Sequence, residues 1–200
     1  MTVVCLDLEG VLVPEIWISF AEETGIEELR RTTRDEPDYH KLMRYRMDIL
    51  RREGLGLKDI QATIARIKPL DGAKEFLDKL RELTQVIILS DTFEEFAKPL
   101  MKQLGWPTIF SNSLKIGDDG MLEDIIMRQE EGKMKAIEAL SSIGFRTFAA
   151  GDSYNDLRMI RKADAGCLFR SPVNILEENP DLKIFNTYDD FLSFIKENLK

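Results

Sequence analysis

The sequence predicts an α/β fold: a Rossmann-like, doubly wound parallel sheet with a small helical cap inserted after the first strand. Short apolar runs with little polar alternation recur at Val3-Val4-Cys5-Leu6, Val86-Ile87-Ile88-Leu89, 146–150 and 165–169. That is how strands buried on both faces read. Amphipathic helical patterns lie between the later runs, and strand–helix alternation argues for a parallel sheet covered on both sides. Residues 14–69 break the rhythm, being charge-rich and helical with no run of comparable apolarity.

The elements follow in order. The first strand, at 3–6, runs straight into an acidic segment. Pro14, Pro37 and Pro69 punctuate what comes next, dividing the chain into a core of 1–13 and 70–200 and a cap of 14–69. Over 70–83, Phe76, Leu77 and Leu80 share one helical face ahead of the strand at 86–89. Within 113–127, Asp119-Gly120 sits between two candidate strands as a hairpin signal. A helix over 133–143 buries Ala136, Ile137 and Leu140 and leads to the strand at 146–150. After the strand at 165–169, an amphipathic helix over 188–200 closes the chain through Phe191, Phe194 and Ile195.

A chain of 200 residues fits one domain, or one core with a modest insertion, and 44% hydrophobic with 32% charged residues is ordinary for a soluble globular protein. A formal charge of -8 argues against nucleic acid or an anionic membrane as partner. It would repel a phosphoester as well, so a site for one needs a metal or local cations. Cys5 and Cys167 stand far apart in apolar stretches and read as buried reduced thiols, with neither a disulfide nor a zinc pattern. The N-terminus shows no basic n-region, and no apolar run approaches the roughly 18 residues of a membrane span, so a cytoplasmic location is expected. His40 lies among charges and reads as a surface residue. Gly54-Leu55-Gly56 follows no strand and fails as a dinucleotide motif. Trp17 and Trp106 could line a site entrance, with core packing the default for each.

In open α/β sheets ligands bind at the carboxyl ends of the strands. Asp7-Leu8-Glu9-Gly10 follows the first, Ser90-Asp91-Thr92 the second, and Gly151-Asp152-Ser153-Tyr154-Asn155-Asp156 the third. Any one of these residues could simply cap the following helix. Carboxylates gathered at one end of a sheet repel each other unless a cation sits between them, and a few hard oxygens plus substrate phosphate suit Mg2+. Asp7 and Glu9 are two apart on an extended chain, so their side chains diverge. Asp7 is placed to attack phosphorus, with Glu9 on the far side to protonate a departing alkoxide and later deprotonate an incoming hydroxyl.

Asp7-Leu8-Glu9-Gly10, Ser90-Asp91-Thr92, Lys133 and Gly151-Asp152-Ser153-Tyr154-Asn155-Asp156 fall in the order of the four motifs of haloacid dehalogenase-like phosphatases, which this chain resembles over nearly its whole length. Within that superfamily it is similar to the phosphoserine phosphatase branch. The bifunctional phosphoserine phosphatase/homoserine phosphotransferase type resembles it in Asp7 to Glu15 and in Leu89-Ser90-Asp91-Thr92-Phe93. The resemblance implies Asp7 as nucleophile and metal ligand, Glu9 as acid/base that also lends its backbone carbonyl to the metal, and Asp152 as a third protein ligand. It further implies Ser90 and the Asp91 N–H on the phosphoryl oxygens, and Lys133 neutralising them from a helix start. Asn155 would touch phosphate or substrate, and Asp156 would hold metal-bound water or Lys133.

Two positions depart from the common pattern: Glu9 stands where Asp is usual, and Val11 where Thr often occurs. A carboxyl one methylene longer reaches further over the substrate, which agrees with a tendency to transfer. For phosphoserine, the branch implies an acid for the ammonium and a cap Arg for the carboxylate, matched here by Glu15 and Arg46, with Arg44, Arg51 and Arg52 as rivals. Pro14-Glu15 also reads as an ordinary helix start. The implied partners are a small-molecule phosphoester and a hydroxyl acceptor, with no nucleic acid and no membrane. A phosphatase for another small phosphoester, and a non-enzymatic phospho-switch on the same fold, stay open as alternatives.

Overall fold

The computed structural model of the chain describes residues 1–32, 35–36 and 38–199, so Pro37 and Lys200 lie outside it. Its strands are β1 (Thr2–Leu6), β2 (Gln85–Phe93), β3 (Thr108–Ile116), β4 (Leu122–Ile126), β5 (Arg146–Gly151), β6 (Ala165–Phe169) and β7 (Ile184–Phe185). They form one sheet in the order β4-β3-β2-β1-β5-β6-β7, parallel except for the antiparallel β3–β4 pair. The chain leaves β1 toward β2 on one side and returns to β5 on the other. Beyond the carboxyl end of β1 lies the crevice in which α/β folds bind ligands.

The strands lack polar alternation because helices cover both faces. Val4, Leu6, Val86, Ile88, Phe148 and Ala150 face a layer built by α4 (Ala73–Leu83), α5 (Glu94–Gln103) and α9 (Tyr188–Asn198). Val3, Cys5, Leu89 and Ala149 face α6 (Gly132–Ser142), α7 (Leu157–Lys162) and α8 (Val173–Glu178). Each Val, Leu, Ile or Phe among these, fully buried, contributes about 1.5–3 kcal/mol. Phe191 of α9 stacks on Phe76 at 5.0 Å and on Phe169 at 4.7 Å, tying the last helix to both α4 and β6. Cys5 and Cys167 are free and buried, and burial pushes the Cys5 thiol up to about 12.

Between β1 and α4 the regular elements among the described residues are helices: α1 (Ile16–Thr24), a 3-10 turn (Glu27–Arg30), α2 (Tyr39–Arg52) and α3 (Leu57–Ile64). Their apolar faces join the core of the first layer through Phe20, Leu29, Met43, Leu50 and Ile60. Backbone chemistry fixes the docking. Pro99 inside α5 has no N–H for the Glu95 carbonyl, and Gln61 of α3 donates to that oxygen instead at 2.8 Å. Leu57 N–H bonds the Gly120 carbonyl at 2.9 Å, and Gln103 bonds the Ile67 carbonyl at 2.8 Å.

Several expectations need correction. The hairpin pairing runs from Ser113 to Ile126, as expected, but its first strand, β3, already starts at Thr108, where it continues the parallel sheet. Asp119-Gly120 does not make a two-residue turn. The connection runs 117–121, and of the pair only Gly120 has a positive φ, +81°. The final helix stops at Asn198. Helix α1 begins at Ile16 with Glu15 at its N-cap position, so Pro14 is not a first-turn residue. Trp106 is 59% exposed, in a positive-φ turn before β3 at the sheet end opposite the strand carboxyl ends, and neither packs in the core nor lines the crevice. Within the described residues no helix is long and apolar enough to cross a membrane.

Candidate active site

Asp7 is the first residue past β1 and is 4% exposed. Its N–H extends the ladder to the Ala150 carbonyl at 2.9 Å, which fixes where its carboxylate emerges, and Oδ1 accepts from Leu8 N–H at 2.7 Å. Two glycines then let other chain segments close on it. Gly10 takes φ +73°, and a Cβ there would lie 2.3 Å from the Asp152 carboxyl carbon. A Cβ on Gly151 would meet the Asp156 carboxyl carbon at 2.2 Å. Side-chain-free backbone at both places allows Asp7, Asp152 and Asp156 to bring carboxylate oxygens within 4.8 Å of one another.

Lys133 stands in the first turn of α6, buried to 5% exposure. Its Nζ lies 2.9 Å from Asp7, 2.8 Å from Asp156 and 3.6 Å from Asp91. It is therefore no solvated surface charge. Burial opposes its ammonium, but Asp156, Asp7 and Asp91 together hold its pKa well above the ordinary lysine value. Asp156 is fully buried. Its second oxygen accepts the N–H groups of Asp152 and Ser153, each at 3.1 Å, so one carboxylate ties the loop after β5 to Lys133.

One ammonium does not balance these acids. Burial, then Asp156 and Asp152, push Asp7 well above the usual carboxylate range against the pull of Lys133. Burial, Asp156 and Glu15 push Asp152 up to about 7. Hard oxygens crowded together and held reluctant to ionise are the donor set that a divalent cation such as Mg2+ relieves.

Glu9 turns the other way. Its Oε2 accepts from Ile16 N–H, the first residue of α1, at 2.8 Å, and its carboxylate lies outside the Asp7–Asp152–Asp156 group. Burial and the neighbouring Glu15 push its pKa up to about 8, so it carries a proton at neutral pH. Both carboxyls are held above the usual range, and what separates them is position: Asp7 faces Lys133 and the Asp152–Asp156 pair, whereas Glu9 faces the first turn of α1.

Ser90 and Asp91 lie within β2, where pairing with β3 is interrupted between Leu89 and Phe93. Ser90 is not a helix cap, since α5 begins only at Glu94. The Asp91 side chain accepts from Asn155 Nδ2 at 2.9 Å, bringing the second and fourth motifs into contact.

From the inserted helices, Arg46 comes to the same crevice. It is 4% exposed, unlike Arg44, Arg51 and Arg52, which are exposed. Its guanidinium lies 4.4 Å above the Trp17 ring, Nη2 donates to the Arg31 carbonyl at 2.7 Å, and the buried Nε has no partner. Burial draws its pKa down to about 10, with Tyr39, Glu9 and Glu15 opposing, and the group stays cationic at neutral pH. Glu15 is exposed beside Glu9. His40 is exposed on α2.

The crevice thus gathers Asp7, Glu9, Glu15, Arg46, Ser90, Asp91, Lys133, Asp152, Asn155 and Asp156. Trp17, considered for the site entrance, lies in the first turn of α1 under Arg46. Sequence reasoning passed over three further residues. Gly10 and Gly151 show a signal only in hindsight, as glycines beside acids, and Asn112 is a lone amide in a strand.

Comparison with known proteins agrees with this geometry. The haloacid dehalogenase-like hydrolase family matches residues 1–164. A Pseudomonas aeruginosa protein named phosphoserine phosphatase ThrH is 53% identical over 190 residues, covering 95% of this chain and 93% of that protein. A phosphoserine phosphatase of Pseudomonas syringae pv. tomato is 53% identical over 195 residues, covering 97% and 82%. A crystal structure of a phosphoserine phosphatase in apo form superposes with a TM-score of 0.73 at 27% identity, covering 91% of this chain and 92% of that one. With the family matched over most of its length and its motif residues assembled in one crevice, this chain belongs to the haloacid dehalogenase-like hydrolases, on their phosphoserine phosphatase branch.

Proposed function

We propose that the chain is a magnesium-dependent phosphoserine phosphatase that works through an aspartyl-phosphate on Asp7 and can also hand the phosphoryl group to homoserine. The observation that carries this reading is buried Lys133 shared by Asp7 and Asp156 at a helix N-terminus. A dianionic phosphoryl group approaching a carboxylate nucleophile needs a fixed cation there. Relatives of 53% identity named phosphoserine phosphatase support the substrate. In this reading residues 14–69 are a cap on a core of 1–13 and 70–200, and the protein acts on small metabolites in the cytoplasm.

Magnesium, held by Asp7, Asp152 and the Glu9 backbone carbonyl, would draw charge from the phosphoryl oxygens and offset the repulsion among the acids. Arg46 receives the phosphoserine carboxylate on its free donor, and Glu15 receives the ammonium. The Ser90 hydroxyl, the Asp91 N–H and Lys133 hold the phosphoryl oxygens, Asn155 contacts phosphate or substrate, and Asp156 keeps Lys133 in place. Asp7 attacks phosphorus, the bond to the serine oxygen breaks, and Glu9 gives that oxygen its proton. Glu9, now a carboxylate, takes a proton from water or an alcohol whose oxygen attacks phosphorus, and Asp7 leaves.

The test is to mix the protein with radiolabelled phosphoserine and Mg2+, quench in acid and map the label. Label on the peptide carrying Asp7, its loss in Asp7→Asn, and phosphohomoserine formed when homoserine is added are the expected results. Turnover retained by Asp7→Asn would end the covalent reading. Phosphate release unaffected by homoserine, with no phosphohomoserine, would end the transfer reading alone.

A further inference from the structure

The loop given the phosphoryl group above is an interruption in a ladder. Leu89 pairs with Phe110 and Phe93 with Asn112, so Ser90, Asp91 and Thr92 together face Ser111. Three residues against one must bow away from β3, and backbone groups in the bow lose their strand partners. The Asp91 carbonyl is satisfied by side chains: Asn112 Nδ2 donates to it at 2.9 Å and the Tyr39 hydroxyl at a longer 3.4 Å. The other end of the same amide, Asn112 Oδ1, accepts from Arg128 N–H at 3.1 Å. Arg128 lies four residues before Gly132, the first residue of α6, which presents Lys133.

Asn is a poor strand former, and burying its amide costs free energy unless both ends are used. Here it is 5% exposed with both ends engaged. An apolar residue would suit a strand better and would hold neither segment. We infer that Asn112 is a positioning residue that sets the Ser90-Asp91-Thr92 bow and the Lys133-bearing segment at a fixed separation, so that the Asp91 N–H and the Lys133 ammonium reach the same phosphoryl group. The inference rests on the phosphoryl-binding roles proposed for those residues.

The test compares the full chain with Asn112→Asp and Asn112→Leu. Asp keeps an acceptor for Arg128 N–H but has no donor for the Asp91 carbonyl; Leu supplies neither. Three readouts are taken with Mg2+ present: kcat and KM for phosphoserine, amide hydrogen exchange over 88–94 and 126–134, and thermal unfolding. For Asn112→Asp, kcat falls about tenfold or more with KM changed less than about threefold, since the Arg46 end of the substrate is untouched and small misplacements near reacting atoms cost up to about a hundredfold. Exchange quickens over 88–94 alone. For Asn112→Leu it quickens in both segments and kcat falls further. Near-isosteric Asn112→Asp carries the test by itself if the Leu variant does not fold.

A variant with lowered thermal stability but wild-type kcat per folded molecule overturns the inference, whatever its exchange pattern, because a merely structural amide would behave so. If the wild-type chain turns over no phosphoester, the function proposed above is what fails. Exchange unchanged in both segments would then overturn the bracing role as well, and selective quickening would sustain it.

Discussion

Lys133→Met tests whether a single ammonium holds the acidic cluster together. Met has similar length and fills a site that is 5% exposed without a charge. Its introduction leaves Asp7 and Asp156, both buried and both within 2.9 Å of the lost Nζ, facing each other and Asp152. Removing one partner of a buried ion pair costs about 3–5 kcal/mol. A carboxylate can escape part of that cost by taking up a proton, which gives the loss a pH dependence. Asp7 already lies well above the usual range, and Lys133 is among the groups lowering it, so without Lys133 it rises further.

A carboxyl whose folded pKa is raised adds stability that is complete below its unfolded value and lost as pH rises through the folded one. The destabilisation is therefore smallest near about pH 4, the ordinary unfolded carboxyl value, and grows toward about pH 8. At about 2–4 °C per kcal/mol for a chain of this size, Tm should drop by roughly 6–20 °C at the higher pH. Thermal unfolding of both proteins in EDTA at the two pH values measures it. Equal Tm values at the higher pH, or a gap that narrows as pH rises, would refute the argument.

Other perturbations address single contacts. Arg46→Ala should raise KM for phosphoserine about tenfold to a hundredfold, as loss of a charge-assisted bond of about 1.5–3 kcal/mol implies, with little change for a phosphoester lacking a carboxylate. Gly10→Ala puts a Cβ 2.3 Å from the Asp152 carboxyl carbon at φ +73°, so it should weaken Mg2+ binding, read by calorimetry, and lower turnover by at least about a hundredfold. Glu9 at about 8 must be protonated to donate, so kcat/KM should fall as pH rises through about 8 and lose that limb in Glu9→Gln. Because Glu15 is the leading charge raising Glu9, Glu15→Gln should move the limb to lower pH, and a limb unmoved would mean another group titrates.

Much of the fold was legible because its signals are local. The apolar runs at 3–6, 146–150 and 165–169 match β1, β5 and β6 within a residue, since a strand buried on both faces has few polar choices. Asp7, Glu9, Ser90, Asp91, Asp152, Asn155 and Asp156 were legible as motifs, each written in a few consecutive letters at the end of a strand. Signals failed where two long-range pairings share one strand. The parallel half of β3 escaped notice because Ile109 and Phe110 form too short a run, and β7 is only two residues long. Ser90 and Lys133 each had an ordinary local explanation, and only their surroundings exclude it. Trp106 failed for the opposite reason: a large aromatic residue is normally buried, and nothing nearby in sequence says that its turn points outward.

The order of elements and the acids at the strand ends follow from apolar periodicity and short local motifs, because each depends on neighbours within a turn or a strand, and the type of chemistry followed once those motifs resembled a known set. The tertiary structure alone decided which Arg of the inserted helices reaches the crevice, that Lys133 is buried among Asp7, Asp156 and Asp91, and that Asn112 bridges two loops. Those facts depend on contacts between residues tens of positions apart, where burial and repulsion set charge states that no local pattern encodes.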